Sequence, residues 1–199
     1  MSEPLVDIGL NLTNKQFASD REEVVERALA AGVTRMMVTG LSAELSQAAL
    51  ELARQRPGVL RSTAGVHPHN AKTFDRHTQA ELRALAAAPE VAAVGECGLD
   101  YDRNFSPPEQ QRHAFEAQLA LAVDLAKPVF LHVRSAHDDF VRMLSRDMKR
   151  AHGRRNEPAF LPHIAASVAR ARGEAESDVA RHTSATAERV FGLGAGVNA

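Results

Sequence analysis

The chain has 199 residues, 44% of them hydrophobic and 25% charged, with a formal net charge of -1; this is ordinary globular composition, enough for one sizeable core, and it lacks the global basic field of a nucleic-acid binder. A single Cys excludes an internal disulfide and fits a reducing cytoplasm. No run approaches the ~20 apolar residues of a membrane span, and Met1-Ser2-Glu3-Pro4 lacks the basic start of a signal peptide, so a soluble cytoplasmic protein with no membrane partner is expected.

Short apolar runs at 5–10, 35–39, 60–66, 91–95 and 129–133 read as strands. Helix-start signals lie between them. Ser19-Asp20-Arg21-Glu22 reads as a capping box, and Gly32 stops the helix it opens. Ser42 opens a second helix, with Leu45, Ala49 and Leu52 on one face. Thr78-Gln79-Ala80-Glu81 is another box. Ser106-Pro107-Pro108-Glu109 combines a cap with Pro in the first turn, and Phe115, Leu119, Ala122, Val123 and Ala126 follow at helical spacing. Five strand–helix units in a row predict an α/β fold, a parallel sheet with helices outside. The segment 145–158 is basic and polar, with Arg146, Lys149, Arg150, Arg154 and Arg155, and reads as a solvated loop or a phosphate contact. Two helical patterns close the chain, one through Leu161, Ile164 and Val168 and one through Val179, Thr183, Ala187 and Phe191, with Gly192 as a stop. No linker suggests a second domain.

In a β/α barrel, functional groups stand where strands end. The polar residues at those places are Asp7 and Asn11 on the first run, His67 and His69 after the third, Glu96 with Asp100 close behind on the fourth, and His132 with Arg134 on the fifth. A Glu and a His at successive strand ends make half a metal site. Glu96 lies between a glycine and an apolar run, where an unpaired charge would be costly, so a metal or a pairing role is expected. Plainer readings stand beside these: Asp7 as a loop cap, Asn11 as a turn residue, Pro68 as the shaper of a loop, His132 as a satisfied core histidine. Cys97 reads as packing, and His113, His137, His152, His163 and His182 as surface residues. The chain has no Ser-His-Asp constellation, glycine-rich phosphate loop or Cys-based zinc motif. The residues alone point to a metal-dependent hydrolase of open substrate. With no Trp and one Tyr, stacking platforms for single strands are scarce.

Longer stretches narrow this. Asp7-Ile8-Gly9-Leu10-Asn11-Leu12-Thr13, Ser62-Thr63-Ala64-Gly65-Val66-His67-Pro68-His69, Gly95-Glu96-Cys97-Gly98-Leu99-Asp100-Tyr101, Phe130-Leu131-His132-Val133-Arg134 and Arg154-Arg155-Asn156-Glu157-Pro158-Ala159-Phe160-Leu161-Pro162-His163-Ile164 together resemble the TatD family of metal-dependent deoxyribonucleases. The opening resembles the TatD branch proper, with Gly9 and Asn11 where other branches place two histidines. The resemblance implies a TIM-barrel-like fold, a divalent metal such as Mg2+, with Mn2+ or Zn2+ as alternatives, and 3′→5′ hydrolysis of single-stranded DNA or RNA. It carries metal-ligand roles to Glu96 and His132, and catalytic, site-lining roles to Asp7, His67 and Arg134. It also implies two later strand ends, His-Cys-Phe-Thr-Gly and Glu-Thr-Asp-Ala-Pro, and neither occurs in this sequence. The expectation is therefore one domain over 1–199, internally truncated after about residue 144, with about five of eight βα units and C-terminal helices. Five strands cannot close an eight-stranded barrel, so unpaired edges that invite self-association are expected. Two ligands in place of a fuller set predict weak or absent turnover. Two alternatives remain: a non-catalytic remnant that binds metal or nucleic acid weakly, or a hydrolase of small amides, esters or phosphates.

Overall fold

Each of the five apolar runs forms a strand. A computed structural model describes residues 4–143, 158 and 161–193. The strands are β1 (Leu5–Leu10), β2 (Val33–Val38), β3 (Leu60–Ala64), β4 (Val91–Asp100) and β5 (Val129–Arg134), and they form one parallel sheet in the order β1-β2-β3-β4-β5. Helices α1 (Arg21–Ala30), α2 (Ala43–Gln55), α3 (Arg76–Ala86) and α4 (Pro108–Asp124) follow the first four strands, and α5 (His137–Met143) follows the fifth. This is the βα succession of a barrel, curled through five strands. The basic segment 145–158, apart from Pro158, lies outside the described residues.

Two C-terminal helices, α6 (Leu161–Arg172) and α7 (Glu176–Phe191), return to the start of the sheet. Ala165 and Ala180 join the core formed by β1, β2, α1 and α2. Phe191 and Leu193 reach the other face of the sheet, packing with Met37, Val6, Ile8 and Phe130. The Ser184 hydroxyl donates to the Pro4 carbonyl (2.9 Å), and the Arg35 guanidinium pairs with Glu188. The edge expected to lie open at β1 is thus partly covered. Among the described residues β5 pairs only with β4, and its Leu131 is 36% exposed.

Several local expectations shift. The first helix begins at Arg21 with Asp20 at its N-cap and no side-chain cap bond; Asp20 instead pairs with Arg27 (3.1 Å). The third begins at Arg76, where the Asp75 carboxylate accepts the Thr78 N–H (2.8 Å), so Thr78 is inside the helix rather than its cap. Ser42 caps α2 as expected, accepting from the Leu45 N–H. On α4 the expected apolar stripe holds at Phe115, Leu119 and Ala122, but the buried face is not wholly apolar. It contains Gln111 and Gln118, while Val123 is 80% exposed and Ala126 lies past the helix end.

The glutamines explain that rotation. The Gln118 amide oxygen accepts the Val66 N–H (2.7 Å), and its nitrogen donates to the Val66 carbonyl (3.1 Å). Gln111 does the same for Asp100, at 2.7 and 3.0 Å. Seven residues apart, the two side chains share a helix face and complete backbone pairing just past β3 and at the end of β4. Turning them inward moves Val123 to solvent. A Gln118→Leu substitution strands a buried N–H and carbonyl at Val66, so we expect a loss of about 3 kcal/mol of stability by urea unfolding. A loss under about 1 kcal/mol would mean that water replaces the amide.

Candidate metal centre and cleft

The carboxyl end of the sheet opens into a cleft of about 660 Å³ lined by Asn11, His67, His69, Glu96, His132 and Arg134, among others. Strand geometry places the last three. Pairing of β4 with β5 slips in register between Gly95 and Cys97, leaving Glu96 at a bulge. Its N–H donates to the Gly40 carbonyl past β2 (2.9 Å) instead of to β5. A bulge re-aims a side chain, and here it turns Glu96 toward His132. The ladder resumes with Cys97 opposite Leu131 and continues with Gly98 opposite His132 and Asp100 opposite Arg134.

Asp100 organises what surrounds it. Its side chain is fully buried, and one oxygen, Oδ2, faces His69 Nε2 (2.8 Å), His132 Nε2 (3.1 Å) and the Arg134 guanidinium (3.6 Å). Its other oxygen accepts the Arg103 N–H (2.9 Å). Burial pushes this carboxyl up, but the Arg103 N–H and the two imidazoles outweigh it and hold it at about 2. An ionised Asp100 only accepts, so both imidazoles present Nε2–H to it. His132 Nδ1 is then a lone-pair nitrogen 3.2 Å from a Glu96 carboxylate oxygen. Burial raises the Glu96 carboxyl, yet the polar surroundings supplied by the His132 and His67 rings draw it below the ordinary carboxylate value. Two acceptors face to face at that distance suit a shared cation, and the carboxylate–histidine support from Asp100 is the usual second partner of a metal-bound imidazole.

His67 completes a group of three possible donors with Glu96 and His132, whose ligand atoms all lie within 4.8 Å of one another. Its own bonding gives it another part. His67 Nδ1 accepts the His69 N–H (3.1 Å), so the neutral ring carries its proton on Nε2, which points toward Glu96 at 3.9 Å. In this conformation His67 faces the cleft as a donor, not as a ligand. Burial drives its pKa down to about 4, the His132 and His69 rings adding to that effect against the pull of Glu96. An unfolded chain takes up this proton near the ordinary value of 6.5, and the folded chain only near 4. Stability is full above about 6.5 and falls by roughly 3 kcal/mol as the pH drops to about 4. A His67→Gln variant should lose that part of the acid slope in thermal melts from pH 7 to 4; an unchanged slope would assign it to other groups.

The remaining residues fall into place with less uniformity. Arg134 lines the cleft beside Asp100. Asp7 does not line it; its carboxylate accepts the Gly9 N–H (2.9 Å) within β1, and burial raises its pKa. Asn11, beyond the register shift in β1, does reach the cleft while also accepting the Asn14 N–H at its carbonyl (3.2 Å), so the turn and site readings both hold. Cys97 is fully buried and its thiol is pushed up by burial, as packing requires. His113, His137 and His182 are exposed; His152 and the side chain of His163 lie outside the described residues. Sequence reasoning missed Lys72, Asn70 and Phe105, which also line the cleft. Asn70 and Lys72 sit in the short 3-10 helix Pro68–Thr73 and Phe105 in the loop before α4, where no periodicity marks a residue.

The profile of the TatD related DNase family matches residues 6–153. A protein of Erwinia tasmaniensis named 3′-5′ ssDNA/RNA exonuclease TatD is 40% identical, with 95% of this chain and 100% of that protein covered. The alignment is 259 positions long against 199 residues here, so at least 60 of its positions have no counterpart in this chain. A Pantoea relative of the same name is 55% identical over 140 residues, 70% of this chain and 54% of its own length. Among solved structures, a TatD homologue from Escherichia coli k12 aligns with a TM-score of 0.83 over 94% of this chain and 98% of that one; at 20% identity it speaks for the fold alone. The matched residues span all five strands, the Glu96–His132 pair included, and the chain belongs to the TatD related DNase family.

Proposed function

We propose that this chain is a metal-dependent hydrolase of phosphodiester bonds in single-stranded DNA or RNA, of the 3′→5′ kind for which its relatives are named. The observation that carries the reading is the Glu96–His132 donor pair at the cleft floor, with Arg134 beside it. A hard oxygen and a borderline nitrogen fit Mg2+, with Mn2+ or Zn2+ as alternatives. Bound there, such an ion supplies Lewis acidity, lowering the pKa of a water and offsetting phosphoryl charge. Arg134 holds a phosphate by charge-assisted hydrogen bonds. His67, neutral at pH 7, donates Nε2–H to a substrate oxygen. Asp7 acts from below, pinning the bent end of β1 that carries Asn11. Asp100 fixes the tautomer of His132.

We further propose that the chain is one domain over 1–199, in which the later barrel units are missing after about residue 144, and that it works in the cytoplasm. Among the described residues no helix is long and apolar enough to cross a membrane. A second reading, a remnant that binds metal or nucleic acid without turnover, draws on one observation. The donors come from β4, β5 and the loop after β3, while the β1 side offers only Asn11. The β5 edge, with Leu131 exposed, suits pairing with a second copy.

The test is degradation of an end-labelled single-stranded oligonucleotide with Mg2+ or Mn2+, with chelator as control. We expect slow, chelator-sensitive loss of nucleotides, with Arg134→Ala raising KM about tenfold or more. Metal-dependent cleavage of simple esters but not of DNA would replace this reading with small-molecule hydrolysis. Metal binding without any turnover would favour the remnant.

A further inference from the structure

We propose that Phe105 forms a base-stacking subsite at the mouth of the cleft, which takes a nucleobase of the single strand whose phosphate lies over the Glu96–His132 pair; this rests on the nucleic-acid reading above. Phe105 is 59% exposed, and every other Phe among the described residues is buried or half-buried. An exposed phenyl on a loop is usually incidental, but three observations set this one apart. It lines the same cleft as the donor pair. Its ring makes a T-shaped contact with His69 (centroids 4.8 Å apart), and His69 is in turn fixed on Asp100 (2.8 Å) and stands 6.2 Å from His132. The aromatic surface is therefore one ring away from the metal ligands.

The third observation is that its backbone is held in place. The neighbouring Ser106 is fully buried; its hydroxyl donates to the His69 carbonyl (3.0 Å) and accepts the Lys72 N–H (3.0 Å). Gln111 donates to the Ser106 carbonyl (2.7 Å). The serine expected to cap a helix thus ties the Phe105 loop to the short 3-10 helix that carries His69 and Lys72. Lys72 and Arg134 line the same cleft and offer positive charge to phosphates. An aromatic face beside cations is how proteins hold single strands without reading their sequence, because every base has a π-face. A second copy or a peptide would need a broader apolar surface than this lone ring at a charged cleft.

The chain contains no Trp, so Phe105→Trp introduces a single indole whose emission reports stacking directly. In chelator, where no cleavage occurs, the variant is titrated with a short single-stranded thymidine oligonucleotide and with the same backbone made abasic. We expect saturable quenching by the first and not by the second. By anisotropy of a labelled oligonucleotide, Phe105→Ala should bind about tenfold more weakly than the parent, while abasic backbone binds both alike. Bound oligonucleotide with unchanged indole emission, unchanged affinity in Phe105→Ala, or no binding at all would overturn the subsite. The reaction itself is judged separately, by metal-dependent hydrolysis, so the two ideas can fail independently.

Discussion

Glu96→Gln should abolish divalent-metal binding while leaving the fold intact. The substitution keeps volume and removes one charge. In the parent, a Glu96 oxygen stands 3.2 Å from His132 Nδ1, and the two are the donors that the hydrogen bonding leaves bare. A neutral amide in that place can satisfy the imidazole nitrogen by donating to it, which closes the gap a cation would bridge. Only His132 then remains as a ligand. Changing a group that merely supports a ligand costs about 10–100-fold in metal affinity, so losing a ligand from a pair should exceed about hundredfold. Calorimetry with Mn2+ measures this, and Asp100→Asn supplies the scale: it should fall within that 10–100-fold range, because it unseats the His132 tautomer without touching the donors. Equal affinity in Glu96→Gln and parent would mean that the cleft holds its metal elsewhere, or holds none.

The sequence was most readable where one physical force acts alone. Apolar runs marked all five strands, and β1 agrees to the residue. β4 was underestimated: the apolar run breaks at Gly95-Glu96, yet the strand continues to Asp100 because the bulge absorbs Glu96 and the glycines allow close pairing. Glu96, His132, His67 and Arg134 were legible as strand-end or loop groups of the right chemistry, and all four line one cleft. Asp7 was placed by the same rule, but its carboxylate stays within its own strand. Asp100 and the two glutamines were less visible. Their roles are pairings between segments, 11 residues apart for Gln111 with Asp100 and 52 for Gln118 with Val66, and a polar residue on a helix reads as solvent-facing unless its partner is known. Phe105 lies on a loop and Lys72 in a short 3-10 helix, and the buried hydroxyl of Ser106 ties the two together.

The position where fold and chemistry depend most on one atom is Gly98. A Cβ built there would lie 1.9 Å from the His132 carbonyl oxygen, which belongs to backbone and cannot swing away, and φ is +146°. Gly98 and His132 are register partners, so relief requires β4 and β5 to part where the donor pair is formed. We expect Gly98→Ala to cost more than about 4 kcal/mol, the range reserved for changes that break a specific backbone feature, against a total of about 5–15 kcal/mol for a domain. Gly173 provides the control: its φ is +67° and nothing lies within 4 Å of an added Cβ. Gly173→Ala should therefore cost only about 1–2 kcal/mol of left-handed strain. Urea unfolding of both variants separates crowding from strain. Any Gly98→Ala protein that still folds should bind metal poorly, because displaced His132 loses both Asp100 and Glu96. Equal costs at the two glycines would show that the strands can separate cheaply, and the close approach of β4 to β5 would then not be what holds Glu96 against His132.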